Sequence, residues 1–248
     1  MPMEIICCKN YEKMSKKAAQ IVAEQIVQKR DSVLGLATGS TPLKIYEILA
    51  EKYDGEELDF GSVTTINLDE YKGLSPENKQ SYHYYMNYNF FHKVNVNPKK
   101  TFIPDGMESD AKRACEVYDQ IIRDAGGIDL QLLGLGNNGH IGFNEPGDSF
   151  DATTHLVNLT ASTINANKRF FEKEEDVPRQ AYTVGIKTIM QAKKILLVVS
   201  GESKADILAK AFLGPVTNEI PASILKQHKD VTIVGDEAAL SKLMENSK

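Results

Sequence analysis

The sequence is poor in cysteine and lacks any long apolar run, and each shortage removes a class of protein. Cys7, Cys8 and Cys115 are the three cysteines, with no C-x-x-C pair, so a disulfide framework is not expected. Cys7 and Cys8 lie in an apolar stretch that reads as a first strand, where burial as small hydrophobes is the expected role. No segment approaches 18 continuous apolar residues, so no membrane partner is expected. The start, MPMEIICCKN, has no basic region leading into a long apolar stretch and does not read as a signal peptide. A cytoplasmic location follows as the default. Positive charge is not in excess: 29 Lys and Arg stand against 34 Asp and Glu, a net charge of −5, and the basic residues are scattered. That argues against a nucleic-acid partner but leaves room for a small anionic substrate met by a few local cations. With no internal repeat, low-complexity tract or linker-like run, one domain over 1–248 is the simplest organisation.

What is present alternates between strand and helix patterns. Met3–Cys8 reads as a strand, and Tyr11–Arg30 as a helix burying Met14, Ala18, Ile21, Val22, Ile26 and Val27. Ser32–Ala37 is a second apolar run, followed by a helix with Thr41 as N-cap and Pro42 in its first turn. Val63–Leu68 reads as a strand that ends in Asp69. Ser81–Phe91 is an aromatic-rich helix whose Tyr82, Tyr85, Tyr88, Phe90 and Phe91 are expected to pack in the core. Helix Ser109–Ala125 and strand Ile128–Leu133 follow, then weaker patterns: a strand near Thr153–Leu159 and a helix near Ala161–Phe171. Lys194–Val199 and Val231–Val234 are strands, each with a helix after it. This alternation predicts parallel βαβ units in an α/β fold, a three-layer α/β/α sandwich with a mostly parallel, Rossmann-like sheet.

The densest chemistry lies in IDLQLLGLGNNGHIGFNEPG, Ile128–Gly147. Gly134, Gly136 and Gly139 match a dinucleotide fingerprint, but HIGFNEPG carries two glycines and a proline where a helix should start. No acidic residue ends the next strand either, so no nucleotide cofactor is expected. The loop instead gathers Asn138, His140, Asn144 and Glu145, a set suited to proton transfer. There is no H-E-x-x-H and no clear third ligand, so no metal is expected. Thr38-Gly39-Ser40-Thr41-Pro42 offers backbone N–H groups and hydroxyls at a helix start, which suits a phosphate, although a plain capped helix would look the same. Gly201-Glu202-Ser203-Lys204 follows another strand and can add Lys204 to that anion site. Asp69 ends a strand on the same rim and is a candidate base. An anion cradle, a carboxylate and a histidine–glutamate loop together fit proton shuffling on a phosphorylated sugar.

LATGSTP, NLDEY, GLGNNGHIGFNEPG, NKRFF, AYTVGIKTI and the GESKA turn, taken in order, resemble the glucosamine-6-phosphate deaminase family over essentially the whole chain. The resemblance implies conversion of glucosamine 6-phosphate and water to fructose 6-phosphate and ammonia, without a cofactor. It assigns the C2 proton to Asp69, ring opening to His140, and the tuning of His140 to Asn138 and Glu145. Many family members have aspartate where this chain has Asn138. It places Thr38, Gly39, Ser40, Thr41, Gly136, Arg169 and Lys204 at the substrate and its phosphate. Residues 147–157 contain no lysine or arginine, where regulated relatives bind an acetylated activator, so an unregulated monomer or small homo-oligomer is expected. The polar stretch 155–180 is expected to act as a lid. The alternatives on the same fold are a 6-phosphogluconolactonase-like hydrolase, a pentose-phosphate isomerase and a noncatalytic sugar-phosphate sensor. The sensor reading is weakened because no DNA-binding appendage fits before Met3 or after Val234.

Overall fold

The structure is a computed structural model that describes residues 3–161, 164–165, 168, 171, 173 and 177–245. A seven-stranded sheet forms its centre. In chain order its strands are β1 (Glu4–Cys8), β2 (Val33–Leu36), β3 (Thr64–Asn67), β5 (Thr101–Phe102), β6 (Leu130–Leu133), β9 (Lys194–Val199) and β10 (Val231–Asp236). In space they run β1-β10-β9-β6-β2-β3-β5, and every pairing is parallel. β2, β6 and most of β9 are buried throughout, as strands covered by helices on both faces must be.

The α-helices among the described residues include α1 (Tyr11–Gln28), α2 (Leu43–Asp54), α3 (Tyr82–Asn89), α4 (Ala111–Asp124), α5 (Ile186–Met190), α6 (Ala205–Leu213) and α7 (Glu237–Glu245). Side-chain caps set where several begin: Asn10 accepts from Lys13 N–H, Ser81 from Tyr84 N–H, and Asp110 from the N–H groups of Lys112 and Arg113. α2 departs from expectation. Its cap position falls on Pro42, with no side-chain cap bond, so Thr41 does not cap it.

Two further expectations are corrected. The predicted strand Val63–Leu68 stops at Asn67, and Asp69 opens a separate strand, β4 (Asp69–Tyr71). β4 pairs antiparallel with β8 (Gln180–Thr183), which pairs with β7 (His155–Asn158), making a second, three-stranded sheet. Leu68 is the joint between the sheets: its N–H donates to Leu36 O, and its carbonyl accepts from Val184 N–H. The cysteines are not buried either. Cys7 is exposed and Cys8 and Cys115 are intermediate, because β1 is an edge strand and Cys115 lies on the half-covered helix α4.

The sheet order also locates the site. From β2 the chain moves outward to β3 and β5; after β6 it moves the opposite way, to β9 and then to β10, which lies beside β1. The loops leaving β2 and β6 therefore diverge and leave a crevice at their carboxyl ends, where open α/β sheets bind ligands.

Candidate active site

The loop after β2 and the loop after β6 line one cleft of about 410 Å³. Its walls include Ala37 to Thr41, Asp69, Tyr82, Gly136, Asn137, His140, Ser203 and Lys204. The volume suits a small metabolite. A more open groove of about 630 Å³ beside α2 lies away from all of these residues.

The β6 loop is folded tightly around His140. Gly136 N–H donates to His140 O at 2.9 Å, and Gly139 N–H donates to Gly136 O at 3.0 Å. Gly139 and Gly142 take φ of +89° and +57°, which glycine adopts without a Cβ clash. Asn144 is a clamp: its amide donates to Ile141 O and Val184 O, each at 2.9 Å, fastening the loop to the residues after β8.

Within this loop three side chains form a triangle, with His140 Nδ1 also 3.6 Å from Glu145 Oε2. Asn138 Nδ2 donates to Glu145 Oε2 at 2.6 Å, and Asn138 Oδ1 lies 2.7 Å from His140 Nδ1. Only the amide nitrogen can donate to a carboxylate, so the oxygen must face the histidine, where it also accepts from His140 N–H. An acceptor at that place calls for a proton on Nδ1, which in the neutral ring leaves Nε2 free to accept one. Glu145 is buried, its N–H held by Asp148 Oδ2 at 2.8 Å and its Oε1 reached by the Thr160 hydroxyl at 3.3 Å.

Asp69 stands across from this loop. A Cβ on Gly142 would lie 3.6 Å from Asp69 Oδ2, so the carboxylate abuts the loop's backbone. Asp69 is 6% exposed, and burial, with the adjacent Glu70 adding to it, pushes its pKa up to about 8. Burial pushes Glu70 up to about 7, against the pull of backbone N–H groups from Tyr82, His83 and Tyr71. Two of those donors are the first N–H groups of α3, so Glu70 seats that helix.

The anion side is built from the β2 loop and Lys204. Gly39 has φ of +95°. Lys204 follows Gly201 after β9, and its Nζ donates to Leu135 O at 2.7 Å and to Asn137 Oδ1. Burial lowers its pKa. Thus Asp69, His140, Thr38 to Thr41, Gly136 and Lys204 converge on the cleft, with Asn138 and Glu145 behind His140. Arg169 lies outside the described residues, as does much of the expected helix near Ala161–Phe171. Sequence reasoning missed Tyr82, Asn137 and Ser203 as cleft residues; Tyr82 was assigned to the core, and it does pack on Tyr71 and Phe143. Among the described residues no group of three or more His, Cys, Asp or Glu side chains gathers as a metal-ligand set, and no helix is long and apolar enough to cross a membrane.

Comparison with known proteins fits this geometry. Residues 9–234 match the family of glucosamine-6-phosphate isomerases/6-phosphogluconolactonase. A glucosamine-6-phosphate deaminase of Halothermothrix orenii is 54% identical over 97% of this chain and 100% of its own length. One from Clostridium perfringens is 52% identical over 97% of this chain and 100% of its own. The solved structure of a monomeric glucosamine-6-phosphate deaminase superposes with a TM-score of 0.95 at 46% identity, covering 97% of this chain and 100% of that one. A 6-phosphogluconolactonase from Trypanosoma brucei, 18% identical, shares the fold with a TM-score of 0.76 over 98% of this chain and 99% of its own. The chain belongs to the glucosamine-6-phosphate isomerase/6-phosphogluconolactonase family, among its glucosamine-6-phosphate deaminases.

Proposed function

We propose that this protein converts glucosamine 6-phosphate and water to fructose 6-phosphate and ammonia, as a monomer in the cytoplasm. The observation that carries the reaction is the convergence of Asp69 and the His140–Asn138–Glu145 cluster on a cleft that the Thr38–Thr41 loop and Lys204 also line. The monomer rests on the likeness to the monomeric deaminase.

The phosphate sits against Thr38, Gly39, Ser40 and Thr41 and is neutralised by Lys204 and Arg169. His140 Nε2 takes the proton of the C1 hydroxyl and delivers it to the ring oxygen, opening the pyranose. The Asn138 dipole, backed by the Glu145 carboxylate, steadies the imidazolium formed on the way. Asp69 then takes the C2 proton while the substrate's ammonium gives up one proton and the C1 oxygen gains one, giving a neutral enolamine. The same carboxylate returns the proton to C1, which leaves an iminium at C2. Water adds there and ammonia departs. Asp69 must be ionised to act, and its raised pKa opposes that in the empty cleft. The cationic amino group of the substrate supplies the opposing charge when it binds. Proton transfers of this kind contribute about 10²- to 10⁴-fold each.

The stretch 155–180 is proposed as a lid. His155–Asn158 and Gln180–Thr183, at the ends of that stretch, are strands, and residues 162–163, 166–167, 169–170, 172 and 174–176 lie outside the described residues. The Thr160 hydroxyl, within that stretch, donates to Glu145 beside His140.

The test is to supply glucosamine 6-phosphate to the purified protein and follow ammonia and fructose 6-phosphate together. Equal amounts of both are expected, and no ammonia would reject the reading.

A further inference from the structure

The loop proposed to seat the phosphate is held from outside by tyrosine hydroxyls on three helices. Tyr46 of α2 donates to Ala37 O at 2.5 Å. Tyr85 of α3 donates to Gly39 O at 2.6 Å. Tyr11, the first residue of α1, shares its hydroxyl proton between Ser40 O at 3.2 Å and Thr41 O at 3.1 Å, and its oxygen accepts from Lys44 N–H. There is no cis peptide here, and a trans peptide carries its C=O and the next N–H on opposite sides. Pinning the carbonyls of residues 37, 39 and 40 therefore turns the N–H groups of Thr38, Ser40 and Thr41 the other way. Among the described residues no backbone carbonyl accepts from those three N–H groups. Each belongs to a residue that lines the cleft.

Tyr85 does a second thing. It lies one turn along α3 from Tyr82 and His83, whose N–H groups rest on the Glu70 carboxylate at 2.9 Å each. Glu70 is the neighbour of Asp69 on β4. One short helix thus spans from the Asp69 strand to the Gly39 carbonyl. Burial pushes the Tyr85 hydroxyl well above its ordinary pKa, so it stays a donor at any working pH.

We infer that Tyr11 and Tyr85 are positioning residues that hold the loop in its anion-binding shape before substrate arrives, and that Tyr85 also fixes the distance between the phosphate seat and Asp69. The inference rests on the deaminase reading of the cleft. Preformed donors spare the substrate the ordering of a loop. A phosphate held in register also orients the distant C2 over its base.

Three variants test it: Tyr11→Phe, Tyr85→Phe and, as control, Tyr88→Phe on the exposed side of α3, where the ring stacks on Tyr84. Each keeps its ring and loses one hydroxyl. Inorganic phosphate affinity is read from its protection against thermal unfolding, and kcat and KM are measured with glucosamine 6-phosphate. Tyr11→Phe is expected to weaken phosphate binding and raise KM by about three- to tenfold, the worth of one net hydrogen bond, with kcat nearly kept. Tyr85→Phe is expected to do the same and to lower kcat severalfold as well. Tyr88→Phe should match wild type. Phosphate affinity and KM in Tyr11→Phe and Tyr85→Phe equal to those of the control would overturn the inference. So would a lower kcat with unchanged KM and phosphate affinity, the mark of a merely weakened fold. Wild type that binds phosphate yet releases no ammonia would reject the deaminase reading and leave the phosphate comparison to judge the tyrosines.

Discussion

The His140 imidazole lies flat against Gly136: a Cβ at that glycine would fall 2.4 Å from Cε1, Nδ1 and Nε2 of the ring. Gly136 also closes the loop through its N–H to His140 O. It lines the cleft, as a substrate-binding residue would, but its tightest relationship is with the ring.

Gly136→Ala should therefore displace the imidazole while sparing the anion side. We expect kcat to fall at least about a hundredfold, the scale of a misplaced general acid–base group. Inorganic phosphate should still protect the variant against unfolding as it does wild type. Nearly full activity would mean that the ring can move and still work.

Asn138 makes a different kind of contribution. Its amide presents an oxygen to His140 and a nitrogen to Glu145. Asn138→Asp keeps the shape and replaces the donor by an acceptor, facing two carboxylates across a 2.6 Å contact. They must then share a proton or separate. When ionised, the new carboxylate stabilises imidazolium more than an amide dipole does. The acid limb of the kcat profile should move to higher pH by about one unit, a preference worth roughly 1.4 kcal/mol. Superimposable profiles would show that Asn138 does not tune the ring.

Asp69 ties catalysis to stability. Burial lifts its pKa from 3.8 to about 8 in the folded chain. Over that interval the native state holds a proton that the unfolded state has released, so stability falls as pH rises. The contribution is complete below the unfolded value and gone above about 8. Asp69→Asn removes this group's titration. The Tm of the variant minus that of wild type should grow by several degrees between pH 5 and pH 8, at roughly 2–4 °C per kcal/mol for a chain of this size. A difference independent of pH would show that Asp69 titrates normally.

The legible parts of this molecule were those carried by local pattern. The strand at Lys194–Val199, the Gly-rich turn after Leu133 and the stop of α4 at Gly126-Gly127 are each written in adjacent residues. The β3–β4 break was not. Val63–Leu68 reads as a strand that ends at Asp69, and what opens a second strand there is a partner, β8, supplied more than a hundred residues later. Cys7 misled because an apolar strand looks the same in the centre of a sheet and at its edge. Asp69, His140 and Lys204 could be placed together because strand ends in a parallel sheet share a rim, and all three line the cleft. Tyr11 and Tyr85 were not, since the hydroxyl of an otherwise packed ring meets its carbonyl only in three dimensions.

In the proposed reaction Asp69 alone carries the C2 proton. The most direct test is exchange at C2 of glucosamine 6-phosphate in deuterated water, followed by NMR for wild type and Asp69→Asn. Wild type should exchange C2 hydrogen, Asp69→Asn should not, and phosphate protection against unfolding should be equal in both. Undiminished C2 exchange in Asp69→Asn would contradict that role.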